Sequence, residues 1–121
     1  MAYHDPFHAT YTLPAASLAS AATLLSVTGP AGKKGRLVGI TGVVTTGVTD
    51  AAAAVTVGTG ADADAYGALS VPVCAAGTSA NDATVQPADA NLIPADSVVE
   101  IATDGAATAG AADIAVHIAW F

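Results

Sequence analysis

The segment that decides the fold is Asp113-Ile114-Ala115-Val116-His117-Ile118-Ala119-Trp120-Phe121. Large apolar residues occupy every second position from Ile114 to Trp120, and smaller or polar residues stand between them. Successive side chains of a strand point to opposite faces, so this alternation predicts a strand with one buried face. A strand that finishes in two large aromatic residues is expected to be central in its sheet.

Further β signals lie upstream of this strand. Segments rich in Val, Ile and Thr, with turn residues between them, predict strands over 37–46, 53–58, 66–73 and 98–103. The first two are expected to form a hairpin around Gly47-Val48-Thr49-Asp50. Pro72 favours an edge position or a strand end, and 75–91 is expected to be a long surface loop with a short strand at 84–86. The sequence therefore predicts an all-β fold, an antiparallel β-sandwich or jelly-roll-like barrel.

The beginning of the sequence has a different character. Two prolines exclude a helix from residues 1–14, which predicts an extended N-terminal arm followed by a single domain over 15–121. The arm holds three aromatic residues, Tyr3, Phe7 and Tyr11. They are expected to pack either on their own domain or on a neighbouring molecule. Between the arm and the first β segment, 15–25 has weak helical spacing, while 23–27 fits a strand equally well.

The charge distribution is uneven. All three basic residues, Lys33, Lys34 and Arg36, fall in the segment 29–36, here called the basic turn, while the ten acids are scattered and the net charge is −7. A single cationic spot is suited to docking on an acidic surface, whereas nucleic-acid binding needs an extended basic footprint. We therefore expect no nucleic-acid partner. A solvated β-turn is the simpler interpretation of the same residues.

Composition indicates a thin core and covered surface. Hydrophobic residues make up 53% of the 121 residues, yet aromatic residues make up only 5%. Small apolar side chains bury little area each, so part of the surface is expected to be covered by partner subunits. A GC-rich genome is the alternative source of many alanines. No stretch has the 18 or so uninterrupted large apolar residues of a membrane span, so no membrane partner is expected.

No constellation in the sequence indicates a reaction. Cys74, the single cysteine, lies among valines and alanine and is expected to be a buried, inert thiol. His117 stands in mid-strand, and the glycines around the lysines lack the Walker pattern. Asp62 and Asp64 alternate as in calcium loops, but the later ligands are missing. We expect no enzyme activity, no cofactor and no metal.

Several segments carry a family resemblance. They are 27–40, Val55-Thr56-Val57-Gly58, Asp64-Ala65-Tyr66-Gly67 and 114–121. Together they resemble the small head decoration (cement, or minor capsid) proteins of tailed bacteriophages, and the likeness covers roughly residues 23–121. It implies a β-sandwich or jelly-roll-like subunit on the outer capsid surface, made in the host cytoplasm, that bridges neighbouring major capsid proteins.

The resemblance also implies partners. The chain is expected to bind the major capsid protein and to associate with itself, as a homotrimer in preference to a dimer, which remains the alternative. Residues offered as partner contacts are Tyr3, Phe7, Tyr11, Lys33, Lys34 and Arg36. Two alternatives remain: a structural domain of a phage tail or head fibre, and a small sugar- or ligand-binding β module that uses Asp62, Asp64 and Tyr66.

Overall fold

The computed structural model describes residues 7–87 and 90–121. Every regular element in these residues is a β-strand, so the prediction of an all-β protein is confirmed. The strands are β1 (Phe7–Ser17), β2 (Ala22–Thr28), β3 (Gly35–Thr49), β4 (Ala53–Gly58), β5 (Gly67–Val71), β6 (Ser79–Ala80), β7 (Asp82–Val85), β8 (Leu92–Ile93), β9 (Val98–Thr103) and β10 (Ala109–Trp120).

The strands form two antiparallel sheets that pack face to face. Sheet 1 has the order β1-β10-β3-β6, and β8 also pairs with β3. Sheet 2 has the order β2-β9-β4-β5-β7. The inner faces of both sheets contribute to a single cluster of buried apolar side chains, so the fold is a β-sandwich.

The strand pairs are nested, as in a jelly roll. The hairpin of β4 and β5 is innermost, and β3 then pairs with β6 and β8. Outside these lie the pair of β2 with β9 and finally the pair of β1 with β10. Consecutive nested pairs lie in alternate sheets, which is the wrapping of a double-sheet jelly roll.

The strand β10 organises the core, as its alternation predicts. It lies between β1 and β3, and Ile114, Val116, Ile118 and Trp120 are all buried. Most of the remaining buried core residues are larger than alanine. The largest fully buried side chains besides these are Leu18, Leu37, Leu69, Ile93 and Ile101.

The N-terminal segment belongs to the sandwich. The boundary predicted at residue 14 falls inside β1, because residues 7–13 pair with residues 114–120 of β10. A bulge between Leu13 and Ala16, with Ala15 at a φ of 48°, ends this regular pairing. Residues 7–14 therefore lie on their own domain instead of forming a separate arm, while Tyr3 lies outside the described residues.

Two local predictions differ from the structure. The predicted hairpin is wrong, because β3 belongs to sheet 1 and β4 to sheet 2. The turn at Asp50, with a φ of 70°, carries the chain from one sheet to the other. The helical alternative over 15–25 is also wrong, since β2 begins at Ala22, and its pairing with β9 supplies backbone hydrogen bonds that the weak helical pattern cannot outweigh.

Candidate partner-binding surface

The basic turn connects β2 to β3 at one end of the sandwich, and its backbone is fixed by hydrogen bonds. The Lys33 N–H donates to the Pro30 carbonyl at 3.0 Å. Gly32 has a φ of 74°, in the left-handed region that favours glycine. Its N–H donates to the Asp96 carboxylate at 3.0 Å. The two lysines therefore project from an ordered loop, with Lys34 exposed and Lys33 half-buried, and the exposed Arg36 follows them at the start of β3.

An aromatic side chain lies beside these cations. Phe121 and Lys34 exchange two backbone hydrogen bonds of 2.9 Å, which continue the pairing of β10 with β3. The Phe121 side chain is 41% exposed. The Arg36 guanidinium carbon lies 5.9 Å from the centre of its ring, within the range of a cation–π contact. Cationic and aromatic groups thus share one surface, and its Arg36 and Phe121 are of the residue types enriched at protein interfaces.

A shallow cavity opens on this surface. Its volume is about 390 Å³, and it is lined by Ala31, Gly32, Lys33 and Phe121. A recess between a cation and an aromatic ring suits a protruding side chain with a carboxylate or an apolar body. This feature depends on the pairing of Phe121 with Lys34, so the sequence positions alone, 87 residues apart at the nearer lysine, do not reveal it.

The buried side chain of Trp120 packs against two glycines of the basic turn. The indole is 1% exposed and packs against Gly29 and Gly35, where an added Cβ would lie 2.3 and 2.6 Å from the ring. Both distances are too short for any side chain, so the indole requires glycine at each position. The sequence indicates these glycines only as turn residues. In the structure they let the basic turn pack closely on the buried Trp120.

Two of the aromatic residues offered as partner contacts, Tyr11 and Phe7, lie in β1. The Tyr11 ring is half-buried, and its hydroxyl accepts a 3.0 Å hydrogen bond from the Trp120 indole N–H. Phe7 begins β1, opposite Trp120 in the register. Tyr11 therefore acts within its own domain, and its link to Trp120 connects it to the basic turn.

The two sheets differ in charge. The strands of sheet 1 carry one cation, Arg36, and one acid, Asp113, whose carboxylate accepts the Ala15 N–H at 2.7 Å. The strands of sheet 2 carry two acids, Glu100 and Asp82, and no cation. The outward face of sheet 1 also exposes apolar side chains, with Val38 50% and Val43 46% exposed. The nearly neutral face thus adjoins the basic turn.

The other candidate residues do not converge on a ligand site. Asp62 and Asp64 are exposed in the loop after β4, but Tyr66 is only 5% exposed. Burial raises the pKa of the Tyr66 phenol, and the Ser97 hydroxyl offsets part of this rise. Because the ring is enclosed, Tyr66 offers no open aromatic face for a sugar to stack on. Cys74 is half-buried rather than fully buried.

Metal-type side chains are dispersed in the part of the chain that the structure describes. No three His, Cys, Asp or Glu residues there are grouped as a metal site requires. His117 instead lies 3.1 Å from the Thr10 hydroxyl, through its Nδ1. In the same residues no helix has the length and hydropathy of a bilayer-spanning segment.

The surface described above is the basis for the functional argument. No family model, curated protein or solved structure matches the chain.

Proposed function

We propose that this chain is a capsid decoration subunit, which binds the outer surface of a tailed-phage head and stabilises contacts between major capsid proteins. The observation that carries the proposal is the ordered basic turn beside the exposed ring of Phe121. A cationic and aromatic patch of this kind is suited to an acidic protein surface. The sequence resemblance and the jelly-roll strand order support the same class of protein.

The charge distribution suggests which side meets the shell. The nearly neutral face of sheet 1 and the basic turn would lie towards capsid proteins, and the acidic strands of sheet 2 would lie towards solvent. A net charge of −7 would then keep decorated particles from adhering to each other. Each contact is small, so occupancy of many symmetric sites supplies the stabilisation of the shell.

The test uses preformed heads that lack decoration protein. Purified chain is added, binding is followed by co-sedimentation, and the melting temperature of the heads is measured by calorimetry. We expect saturable binding and a higher melting temperature. Heads that neither bind the chain nor change their melting temperature would exclude this function, and labelling confined to tails or fibres would assign the chain to another part of the particle.

A further inference from the structure

Among the described residues, the two edge strands on one side of the sandwich contain no charged residue. Residues 7–32 contain no Asp, Glu, Lys or Arg, and they form β1, β2 and the segments that follow them. The strand β1 is the edge of sheet 1, and β2 is the edge of sheet 2. The two edges are close to each other, although the whole chain has a net charge of −7. The carboxylate of Asp113, on the neighbouring β10, contacts β1 at Ala15, which lies beyond the regular pairing of residues 7–13.

The β1 edge lacks the features that usually prevent strand association. Within the described residues β1 pairs with β10 alone, so its other edge presents unpaired N–H and C=O groups at alternate residues. Natural edges are guarded by charges, prolines, bulges or short length. In β1, Pro14 and the bulge come only after residues 7–13 have formed a regular uncharged strand.

The opposite side of the sandwich has those protective features. The strands β6 and β8, at the other edge of sheet 1, are each two residues long. The strand β7, at the other edge of sheet 2, carries the exposed acid Asp82. Because only the opposite edges have features that prevent strand association, we infer that another polypeptide segment pairs with the β1 edge in the functional protein.

Apolar side chains at the open side agree with this. Tyr11 and Leu13 of β1 and Leu24 and Leu25 of β2 pack against the core but remain only half-buried. A neighbouring strand at the β1 edge would shield these side chains from water.

We propose that the occupant of this edge is a second copy of the same chain, with the two β1 strands paired antiparallel across a two-fold axis. Like copies with a net charge of −7 repel each other least where the strands that meet carry no charge of their own, as in residues 7–13. A strand edge is self-complementary in antiparallel pairing, so the same donors and acceptors meet on both copies. The pairing joins the two copies of sheet 1 into one continuous sheet.

The two-fold arrangement is an alternative to the expected homotrimer. A three-fold ring needs two different complementary patches on each subunit, whereas in the described residues the unprotected strand edge lies on the β1 side. The inference concerns association of the free chain, so it stands or falls independently of binding to a capsid.

The test compares two variants in which a threonine of sheet 1 is replaced by glutamate. Thr12 and Thr41 are both exposed, and both lie opposite Ala115, on β1 and β3 respectively. Thr12→Glu places a carboxylate from each copy on the strand that forms the proposed interface. Thr41→Glu places the same charge on the same face, two strands away from the edge.

Sedimentation equilibrium measures the molecular mass of each protein. We expect twice the 11.6 kDa chain mass for the unchanged protein and for Thr41→Glu. Thr12→Glu should raise the dimer dissociation constant about tenfold or more, because pairing would bring two additional negative charges together at an otherwise uncharged strand pair. Circular dichroism checks that both variants are folded. A single-chain mass at the highest soluble concentration, a three-chain mass, or a dimer unaffected by Thr12→Glu would overturn the inference.

Hydrogen exchange provides a second measurement without any variant. Amides in residues 8–13 should exchange more slowly as protein concentration rises, since dimerisation protects the open edge of β1. Amides of β7 should not respond to concentration. Equal behaviour of the two strands would likewise overturn the inference.

Discussion

The indole N–H of Trp120 donates a 3.0 Å hydrogen bond to the hydroxyl of Tyr11 across 109 residues of sequence. Trp120 is 1% exposed, and the bond ties β10 to the first strand of the fold. The same indole packs on Gly29 and Gly35 of the basic turn. Tyr11 therefore fixes the ring on which the proposed binding surface rests.

Substitution of Tyr11 by phenylalanine should destabilise the domain. It leaves the buried indole N–H without an acceptor, which costs about 1–3 kcal/mol in the free energy of unfolding. Urea denaturation measures this difference. Thr12→Val is the control, because it removes an exposed hydroxyl from the same strand and should change stability by less than about 0.5 kcal/mol. Equal midpoints for Tyr11→Phe and the control would show that the hydrogen bond contributes nothing.

The glycines under the basic turn give a second prediction. Gly35→Ala places a methyl group 2.6 Å from the indole, so we expect a loss of about 1–3 kcal/mol from overpacking. Gly39→Ala is a matched control in the same strand, since an added Cβ there meets nothing within 4 Å. Thermal unfolding should show a lower melting temperature for the first variant only. A Gly35→Ala protein as stable as Gly39→Ala would contradict the packing role.

The alternation along β10 explains why the fold class could be predicted from sequence. Every residue from Ile114 to Trp120 that alternation assigned to the core is buried, and β5 ends directly before Pro72. These are local consequences of strand geometry and of proline chemistry. They require no knowledge of which strands are neighbours.

Relationships between distant residues could not be predicted in the same way. The turn at Asp50 resembles a hairpin turn, but a local pattern does not reveal whether the chain stays in one sheet or crosses to the other. The partner of Tyr11 is set by the register of β1 on β10. The basic turn was visible as charge, whereas the adjacent ring of Phe121 depends on backbone pairing with Lys34.

Tyr66 should make stability depend on alkaline pH. Its pKa is raised from 10.0, chiefly by burial, so the folded state holds the phenolic proton more tightly than the unfolded state does. This contribution is complete below pH 10 and is lost as pH rises through the folded-state pKa. Tyr66→Phe cannot ionise, so its melting temperature should fall less than that of the unchanged protein between neutral pH and pH values above 10. Parallel curves for the two proteins would refute this role.

The basic turn should give binding to capsid heads a dependence on salt. Replacing Lys33, Lys34 and Arg36 with serine removes all three cations, so affinity should fall and its decrease with added salt should become shallower. Co-sedimentation at several salt concentrations measures both effects. The serine variant also lowers the net charge from −7 to −10, because three positive charges are lost.

A second variant separates the local effect from this change in net charge. Glutamate at three exposed loop alanines, Ala51, Ala52 and Ala76, also lowers the charge from −7 to −10 but leaves the turn intact. These alanines lie beside the half of β3 that is remote from the turn. It should retain affinity closer to that of the unchanged protein, since exposed charges more than about 10 Å from the contact are largely screened at 0.1 M salt. If both variants lose affinity equally, net charge governs binding, and the turn is only a solvated loop.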